Sequence, residues 1–220
     1  MRPVIGTLAI ALFLALACAG LFQAWAGWLG FLGNYSMTEW SKGKRYPSPD
    51  EWARAQQQLE SARTFERGNP KLLEDLARVY KWQVRYDFPT SRVDLAYLQQ
   101  ALDLLRQSAR LRPASARTWS TIASTKSQLV QLDDEFLRAI DNAARLGPWE
   151  PEVQIALANI GFIHWHSLPT PTQAILQLVI QHGLKRQDED LFNLATRTLR
   201  LDVLCAIPGA RRSKFAVRCH

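Results

Sequence analysis

The hydrophobic pattern divides the chain into one long apolar run and a remainder in which apolar residues recur every three or four positions. Residues 4–32 contain no charged side chain, and Gln23 is the only strongly polar one. A helix of about 20 apolar residues crosses a bilayer, whereas the apolar core of a cleavable signal peptide has only about 7–15. We therefore predict that residues 1–35 are a retained single-pass membrane anchor. Amphipathic aromatic residues, which favour the headgroup level, follow at its distal end: Trp25, Trp28 and Tyr35.

Two other fates of this segment stay open. Cleavage after a small residue such as Ala15 or Ala17 would remove it as a signal peptide. Small residues before Cys18 also admit a lipoprotein, although Ala15 stands where a lipobox has a Leu-like residue.

The orientation of the anchor is not decided by its flanking charges. Arg2 precedes the apolar run, and Lys42, Lys44 and Arg45 follow it. A single charged residue before a long apolar run is nevertheless typical of an anchor with its N-terminus inside. We therefore expect an inner-membrane protein whose soluble domain lies in the periplasm.

The remainder of the chain is predicted to be all-α, because it is rich in Ala, Leu, Arg and Gln and has no strand-type alternation. The segment from Ser48 to Glu51 predicts a capping box with proline at the first helical position, and Thr170 to Gln173 repeats that pattern. Asp133 and Asp188 are predicted caps of two further helices. Eight helices are predicted after the anchor: 49–67, 70–86, 92–111, 114–130, 133–146, 151–167, 171–184 and 189–204. The predicted segments are a linker at 36–48, a helical repeat domain at 49–204 and a C-terminal tail at 205–220.

An internal repeat defines the predicted architecture. A step of 35 residues places 109–113 over 144–148, so that a helix-breaking proline follows each second helix. This period and proline resemble a tetratricopeptide repeat. The resemblance extends to Trp119, Ile122 and Ala123, although Lys126 stands where the family has Tyr. It implies a short solenoid of α-hairpins, with an insertion around 85–91, whose stacked first helices line a partner-binding surface. The predicted repeat-core residues are Trp119, Leu111 and Leu146.

Two cysteines near the C-terminus, Cys205 and Cys219, are a possible disulfide pair in an oxidising compartment. The alternative is two unrelated thiols, one buried and one in a frayed tail. Two cysteines without a Cys-x-x-Cys motif predict no zinc site.

Catalytic and cofactor motifs are not found in this sequence. It contains no P-loop, no Gly-x-Gly-x-x-Gly and no Gly-x-Ser-x-Gly. His164 and His166 are two residues apart, so on a helix they face different directions and are expected to be one packed and one surface side chain. Asp133 and Glu135 fit a helix cap and its dipole better than a catalytic pair. We predict neither an enzyme nor a cofactor.

The chain is basic, with a formal net charge of +7. Solvated helix faces explain this charge most simply, and attraction to an anionic membrane or acidic polymer is the alternative. An extracytoplasmic location argues against nucleic acid. Candidate binding residues on first helices are Arg78, Arg85 and Arg117. A further basic cluster lies in the tail: Arg211, Arg212, Lys214 and Arg218.

The whole layout resembles the VpsP-type family of small bacterial exopolysaccharide biosynthesis proteins. The resemblance rests on the anchor, the degenerate repeats, the stretch Ala-Arg-Leu-Gly-Pro-Trp-Glu-Pro-Glu-Val within 143–153, and the ending Leu-Cys-Ala-Ile-Pro at 204–208. It implies a non-enzymatic adaptor in polysaccharide polymerisation or export, with protein partners near a flippase or polymerase. Two alternatives stay open: a scaffold for another envelope complex, such as secretion or c-type cytochrome maturation, and a module that binds an acidic polysaccharide.

Overall fold

The computed structural model describes residues 2–43, 46–84 and 91–219, and the described residues contain helices and loops but no strand. They divide into two units, Met1–Arg85 and Tyr86–His220. The first unit contains α1 (Arg2–Gly43), α2 (Pro49–Phe65) and α3 (Pro70–Lys81). The second contains α4 (Arg92–Leu111), α5 (Ala116–Gln128), α6 (Asp134–Leu146), α7 (Pro151–His164), α8 (Thr170–Gly183), α9 (Asp188–Arg197) and α10 (Leu201–Ala206). Short 3₁₀ turns at 165–167, 210–212 and 216–219 complete it.

The helix α1 is longer than the predicted anchor. It continues unbroken to Gly43, so most of the segment predicted as a linker is helical. No proline lies between residues 36 and 43, and Met37 and Trp40 are buried at 1% and 2% exposure. Burial of such side chains stabilises a fold by about 1.5–3 kcal/mol each, which explains why the helix persists. By length and composition α1 is apolar enough to cross a membrane.

The first unit is built on close packing of α2 and α3 against the C-terminal half of α1. A Cβ atom at Gly33 would lie 2.7 Å from Leu59 Cγ, and one at Gly30 would lie 2.9 Å from a methyl of Leu72. A side chain at Gly33 would therefore displace Leu59, and one at Gly30 would displace a methyl of Leu72. The predicted capping box at the start of α2 is confirmed, since Ser48 and Glu51 exchange side-chain hydrogen bonds with each other's backbone amides.

The second unit consists of antiparallel helix pairs followed by a short C-terminal segment. The helix α5 pairs with α6, α7 pairs with α8, and α9 pairs with α10. Across these pairs α5 packs on α7, α7 packs on α9, and α6 packs on α8. Apolar side chains of α7, α9 and α10 bury one another in a shared core: Phe162, Leu191, Phe192, Ala195 and Leu204.

A structural repeat recurs three times along the chain, in α2–α3, α4–α5 and α6–α7. The residue after the first helix adopts nearly the same φ/ψ each time: −124°/63° at Glu66, −138°/71° at Arg112 and −134°/53° at Gly147. The next helix begins four residues later, after an extended N-cap in every copy. Equivalent buried positions follow the same register: Leu59, Leu105 and Ile140 in the helices before the turn, then Ala77, Ala123 and Ala158 in the helices after it.

The predicted repeat-core residues lie at the edge of this repeat, and the prediction is wrong for Leu111. Leu111 is 52% exposed, because it lies six residues beyond the buried Leu105 and is rotated about 240° from it around the helix. Leu146, at the equivalent position, is half-buried. Trp119 is also half-buried, and its indole N–H donates to the carbonyl of Pro113 at 2.7 Å. Trp119 therefore closes a connection between helices instead of filling the core.

Three predicted helix boundaries need correction. The helix predicted at 189–204 is two helices, α9 and α10, separated where Leu199 adopts φ 55°. Thr170 is the first residue of α8 and not its cap, because the extended residue before it is Pro169. The helix predicted at 70–86 ends at Lys81, and most of the predicted insertion at 85–91 lies outside the described residues.

Candidate functional site

The three predicted binding arginines are not a ready-made site. Arg78 pairs with the carboxylate of Asp75 at 2.7 Å and donates to the Asn34 side chain at 3.2 Å, so it ties α3 to α1. Arg117 pairs with Glu152 at 3.0 Å. Arg85 lies outside the described residues. The two described arginines are therefore engaged by acceptors within their own unit.

The acidic residues at the start of α6 belong to a buried ionic network. Lys126 is 1% exposed, and its ammonium contacts Asp133 at 2.9 Å and Glu135 at 2.8 Å. Glu135 also accepts two hydrogen bonds from the Arg106 guanidinium, at 2.9 and 2.6 Å. Asp133 caps α6 by accepting from the Phe136 amide at 3.0 Å. The network explains why lysine fits inside a helix pair where an aromatic residue was expected.

The pKa values of the network follow from these contacts. Hydrogen bonding by Arg106 lowers the pKa of Glu135 from 4.5 to about 2, and Lys126 adds to this effect while burial opposes it. Burial raises the pKa of Asp133, but the hydrogen bonds from Lys126 and from the Phe136 amide together outweigh it, so the net pKa is lowered. Both carboxylates are thus held ionised by the buried Lys126 ammonium, and Glu135 also by the partly exposed Arg106 guanidinium.

The two histidines at the end of α7 occupy different environments, as predicted. His164 is buried and its Nε2 lies 2.8 Å from the Ser127 hydroxyl, whereas His166 is exposed. Burial lowers the pKa of His164, which favours its neutral form. Within the part of the chain that the structure describes, no group of three or more His, Cys, Asp or Glu side chains is arranged to hold a metal.

The C-terminal tail folds back onto the second unit. Cys205 and Cys219 form a disulfide, with their Cα atoms 5.6 Å apart. Ile207 and Ala210 are buried at 4% and 0% exposure. The hydroxyl of Ser213 donates to Asp188 at the start of α9, at 2.8 Å. The tail is therefore an ordered part of the fold and not a frayed end.

A cleft of about 660 Å³ lies between this tail and the end of α8. One wall carries His182 and Lys185, and the other carries Arg212 and Lys214. Asp188 also lines the cleft, where it accepts hydrogen bonds from Ser213 and from the Glu189 amide. In the described ranges no carboxylate lies within ion-pairing distance of the three cations: Lys185, Arg212 and Lys214.

An exposed tryptophan lies against His182, one of the side chains that line the cleft. The indole of Trp149 is 52% exposed and stacks on the His182 ring, with centroids 4.1 Å apart and planes 21° apart. The ammonium of Lys185 lies 5.8 Å from the Trp149 ring centroid. The arrangement combines an aromatic face, a cation over it and two further cations across a cleft. Such groups bind anionic ligands that also have an apolar face. We call this arrangement the basic cleft, defined by Trp149, His182, Lys185, Arg212 and Lys214.

The sequence pattern identified two of the five residues of the basic cleft. Arg212 and Lys214 belong to the tail cluster recognised from composition, whereas Lys185 and Trp149 were not selected as binding residues. Their proximity depends on the tail folding back on α8, which a basic composition alone does not predict. Arg218, a further member of the tail cluster, instead donates to Asn193 at 2.8 Å.

Comparison with known proteins assigns no family to the chain. No protein-family model matches the sequence, and no curated protein matches it. The resemblance to VpsP-type exopolysaccharide proteins therefore stays a prediction, and so do the function and partners that it implies.

Proposed function

We propose that this protein is a membrane-anchored, non-enzymatic adaptor for bacterial exopolysaccharide biosynthesis or export. In this proposal α1 crosses the inner membrane with its N-terminus inside. The helix pairs lie in the periplasm and bind protein partners. The observation that carries the proposal is the continuity of α1, which joins a membrane-spanning sequence to a folded helical unit without a flexible linker.

The two halves of α1 have opposite surroundings, which supports anchoring. Its N-terminal half exposes large apolar side chains, including Phe13 at 72% and Leu21 at 71%. Its C-terminal half buries Met37 and Trp40 against α2 and α3. An apolar helix surface of this extent is costly in water, and a bilayer removes that cost. Because the same helix completes the core of the first unit, an uncleaved anchor would hold the first unit beside the bilayer.

The adaptor part of the proposal rests on the repeated helix pairs. We propose that these pairs form a degenerate tetratricopeptide-like solenoid. The three copies of the helix–loop–helix geometry and the stacking of α5 on α7 and α7 on α9 support this proposal. Stacked first helices in such arrays present an extended surface for a partner segment. The acidic residues Asp133 and Glu135 pair with the buried Lys126, so their role is to stabilise the helix pair.

The exopolysaccharide part of the proposal comes from the VpsP-type resemblance, and the basic cleft is compatible with it. A scaffold for secretion or for c-type cytochrome maturation is the alternative that the helix pairs alone would also serve. The partners distinguish the two, because function lies in what the surface binds and not in the fold.

The test is affinity capture of the full-length tagged protein from native membranes, with partners identified by mass spectrometry. The matched control bait carries residues 1–43 with the same tag, so that proteins captured by the anchor alone are subtracted. Recovery of a glycosyltransferase, flippase or polymerase supports the proposal. Recovery of secretion or cytochrome-assembly components instead supports the alternative scaffold.

Gene deletion gives an independent readout of the same proposal. Deletion is expected to abolish the secreted polymer while the activities of the purified biosynthetic enzymes remain unchanged. Turnover of any sugar-nucleotide or glycan substrate by the purified protein would contradict a non-enzymatic role.

A further inference from the structure

We propose that the basic cleft binds an acidic glycan, with Lys185, Arg212 and Lys214 contacting its carboxylates and Trp149 stacking on a sugar ring. This inference deepens the proposed function and rests on it for the location of the protein beside a polysaccharide. The binding itself depends only on the side chains of the second unit.

The cations of the cleft, like Arg110 and Arg138, have no ion-pair partner among the described carboxylates. Arg106 and Lys126, in contrast, are held by Glu135, and Arg117 is held by Glu152. The cleft cations are distinguished by lining one cleft together, where Asp188 accepts a hydrogen bond from Ser213 and the Lys214 ammonium lies 5.0 Å from the Phe215 ring centroid. Three positive groups facing one cleft attract anions and are available to bind them.

Trp149 supplies the second requirement of a glycan site. Its indole is held in place on one side by the His182 ring, at 4.1 Å, yet half of its surface faces solvent. A fixed, exposed aromatic ring buries the apolar C–H face of a sugar with little loss of side-chain entropy. The Lys185 ammonium lies over this ring, 5.8 Å from its centroid, so a sugar in contact with Trp149 would bring its carboxylate within reach of the ammonium.

The tail positions its two cations through several independent contacts. The disulfide of Cys205 and Cys219 closes the segment that carries Arg212 and Lys214. Gly209 adopts φ 100°, a conformation that favours glycine, and turns this segment at the mouth of the cleft. Because both ends of the segment are fixed, the site is largely formed before a ligand arrives, which lowers the entropic cost of binding.

The chemistry favours a glycan over other polyanions. An acidic peptide would use the cations but has no need of an aromatic platform at their edge. Inorganic phosphate would likewise gain nothing from Trp149. The combination of a stacked indole with separated cations in an open cleft of about 660 Å³ fits a chain of sugar rings that bears spaced carboxylates.

The test is calorimetric titration of the full-length protein, in a detergent without sugar groups, with oligouronates. The panel contains oligomers of mannuronate, guluronate, glucuronate and galacturonate, with neutral mannan oligomers and polyglutamate as comparators. We expect at least one oligouronate to bind more tightly than polyglutamate, no binding of mannan, and a Kd that rises with salt concentration. Failure of every oligouronate to bind, or equal affinity for polyglutamate, would overturn the proposal.

Matched variants separate the cleft from general charge. The double variant Lys185→Gln/Arg212→Gln is expected to raise the Kd about tenfold or more. The control Arg110→Gln/Arg138→Gln removes two exposed positive charges elsewhere in the second unit and is expected to change the Kd less than about twofold. An equal effect of the two double variants would mean that binding is diffuse and would reject the cleft.

Substitution of the tryptophan tests the stacking contact. Trp149→Ala is expected to weaken oligouronate binding about tenfold and to leave any polyglutamate binding unchanged. Trp28→Ala, which removes an equally exposed indole from α1, is the control and is expected to have no effect. Unchanged oligouronate affinity in Trp149→Ala would overturn the role of the aromatic ring. If the wild-type protein captures polysaccharide partners but binds no oligouronate, the cleft proposal alone is rejected. If it binds oligouronate but captures no polysaccharide partner, the adaptor function alone is rejected.

Discussion

Phe22 of α1 and Phe65 of α2 stack with their ring centroids 5.8 Å apart and their planes 19° apart. This contact marks how far the polar helix α2 extends along the apolar helix. The last turns of α2 carry Glu60 and Arg63, which do not enter the hydrocarbon region of a bilayer at low cost. For the membrane anchor proposed above, this contact places the boundary near Phe22, and residues 4–22 would span about 28 Å, close to the thickness of the hydrocarbon core.

Close packing of α2 on α1 predicts a strong effect of side chains at Gly33. Gly33→Leu is expected to lower the free energy of unfolding of the first unit by about 2 kcal/mol or more, because even a Cβ would lie 2.7 Å from Leu59 Cγ. Gly27→Leu is the control, since no atom lies within 4 Å of a Cβ at that position. Thermal unfolding in detergent, followed by circular dichroism, measures both. Equal melting of the two variants would contradict the packing.

The ionic network predicts a dependence of stability on acidity. The pKa of Glu135 is about 2 in the folded protein and 4.5 ordinarily, so the unfolded chain binds a proton first as the pH falls. The stabilisation from Glu135 is therefore complete above about pH 5 and is lost towards pH 2, with an upper magnitude of about 3 kcal/mol. Glu135→Gln is expected to be less stable than wild type at pH 7, and the two unfolding curves are expected to converge near pH 2.

The control for this prediction is Glu152→Gln, whose carboxylate is exposed and pairs with an exposed arginine, Arg117. Its removal is expected to change stability by less than about 0.5 kcal/mol. Denaturant unfolding at a series of pH values provides the comparison. A constant difference between wild type and Glu135→Gln across this pH range would contradict the assigned network.

The disulfide predicts sensitivity of the C-terminal segment to reduction. Closing the loop between Cys205 and Cys219, which are 14 residues apart, contributes about 3 kcal/mol in the chain-entropy account. The double variant Cys205→Ala/Cys219→Ala is expected to melt earlier than wild type and to be unaffected by dithiothreitol. Cys18→Ser alters an exposed thiol in α1 and serves as the control, which should retain the wild-type response to reductant.

The turn between α9 and α10 predicts a stabilising substitution. Leu199 adopts φ 55° with its side chain 83% exposed, and the amide of Arg200 reaches back to the carbonyl of Ala195 at 2.8 Å. This is a Schellman-type helix end, at which glycine is preferred. Leu199→Gly is expected to raise stability by about 0.5–1 kcal/mol. The same substitution at Leu178, exposed within α8, is expected to lower it by about 1 kcal/mol. A change in stability of the same sign for both substitutions would contradict a strained backbone at Leu199.

Two helix boundaries show where the sequence pattern predicts the fold and where it does not. The boundary at Ser48 was predicted because its capping residues make local contacts that any helix start would use. The break at Leu199 was missed because helix ends are recognised by glycine, and the apolar period continues through this position. Val130, after α5, adopts φ 56° in the same way.

The candidate site depended on tertiary contacts that local patterns do not contain. The all-helical fold followed from composition and period, because each helix encodes its own apolar stripe. Leu111 was misplaced because the recurring motif marks the end of a helix, where the chain turns away from the core. Lys185 and Arg212 line one cleft only because the tail folds back, so no spacing in the sequence pointed to the cleft.

The most direct test of the account is a cysteine-accessibility measurement on α1 in intact cells and spheroplasts. In a Cys18→Ser background, Leu14→Cys and Thr38→Cys place single thiols on either side of Phe22 in the same helix. A membrane-impermeant maleimide added outside the spheroplast is expected to label Thr38→Cys and not Leu14→Cys, on a protein that retains its N-terminus. Labelling of Leu14→Cys, protection of Thr38→Cys, or removal of the N-terminal segment would contradict a retained anchor whose hydrocarbon boundary lies at Phe22.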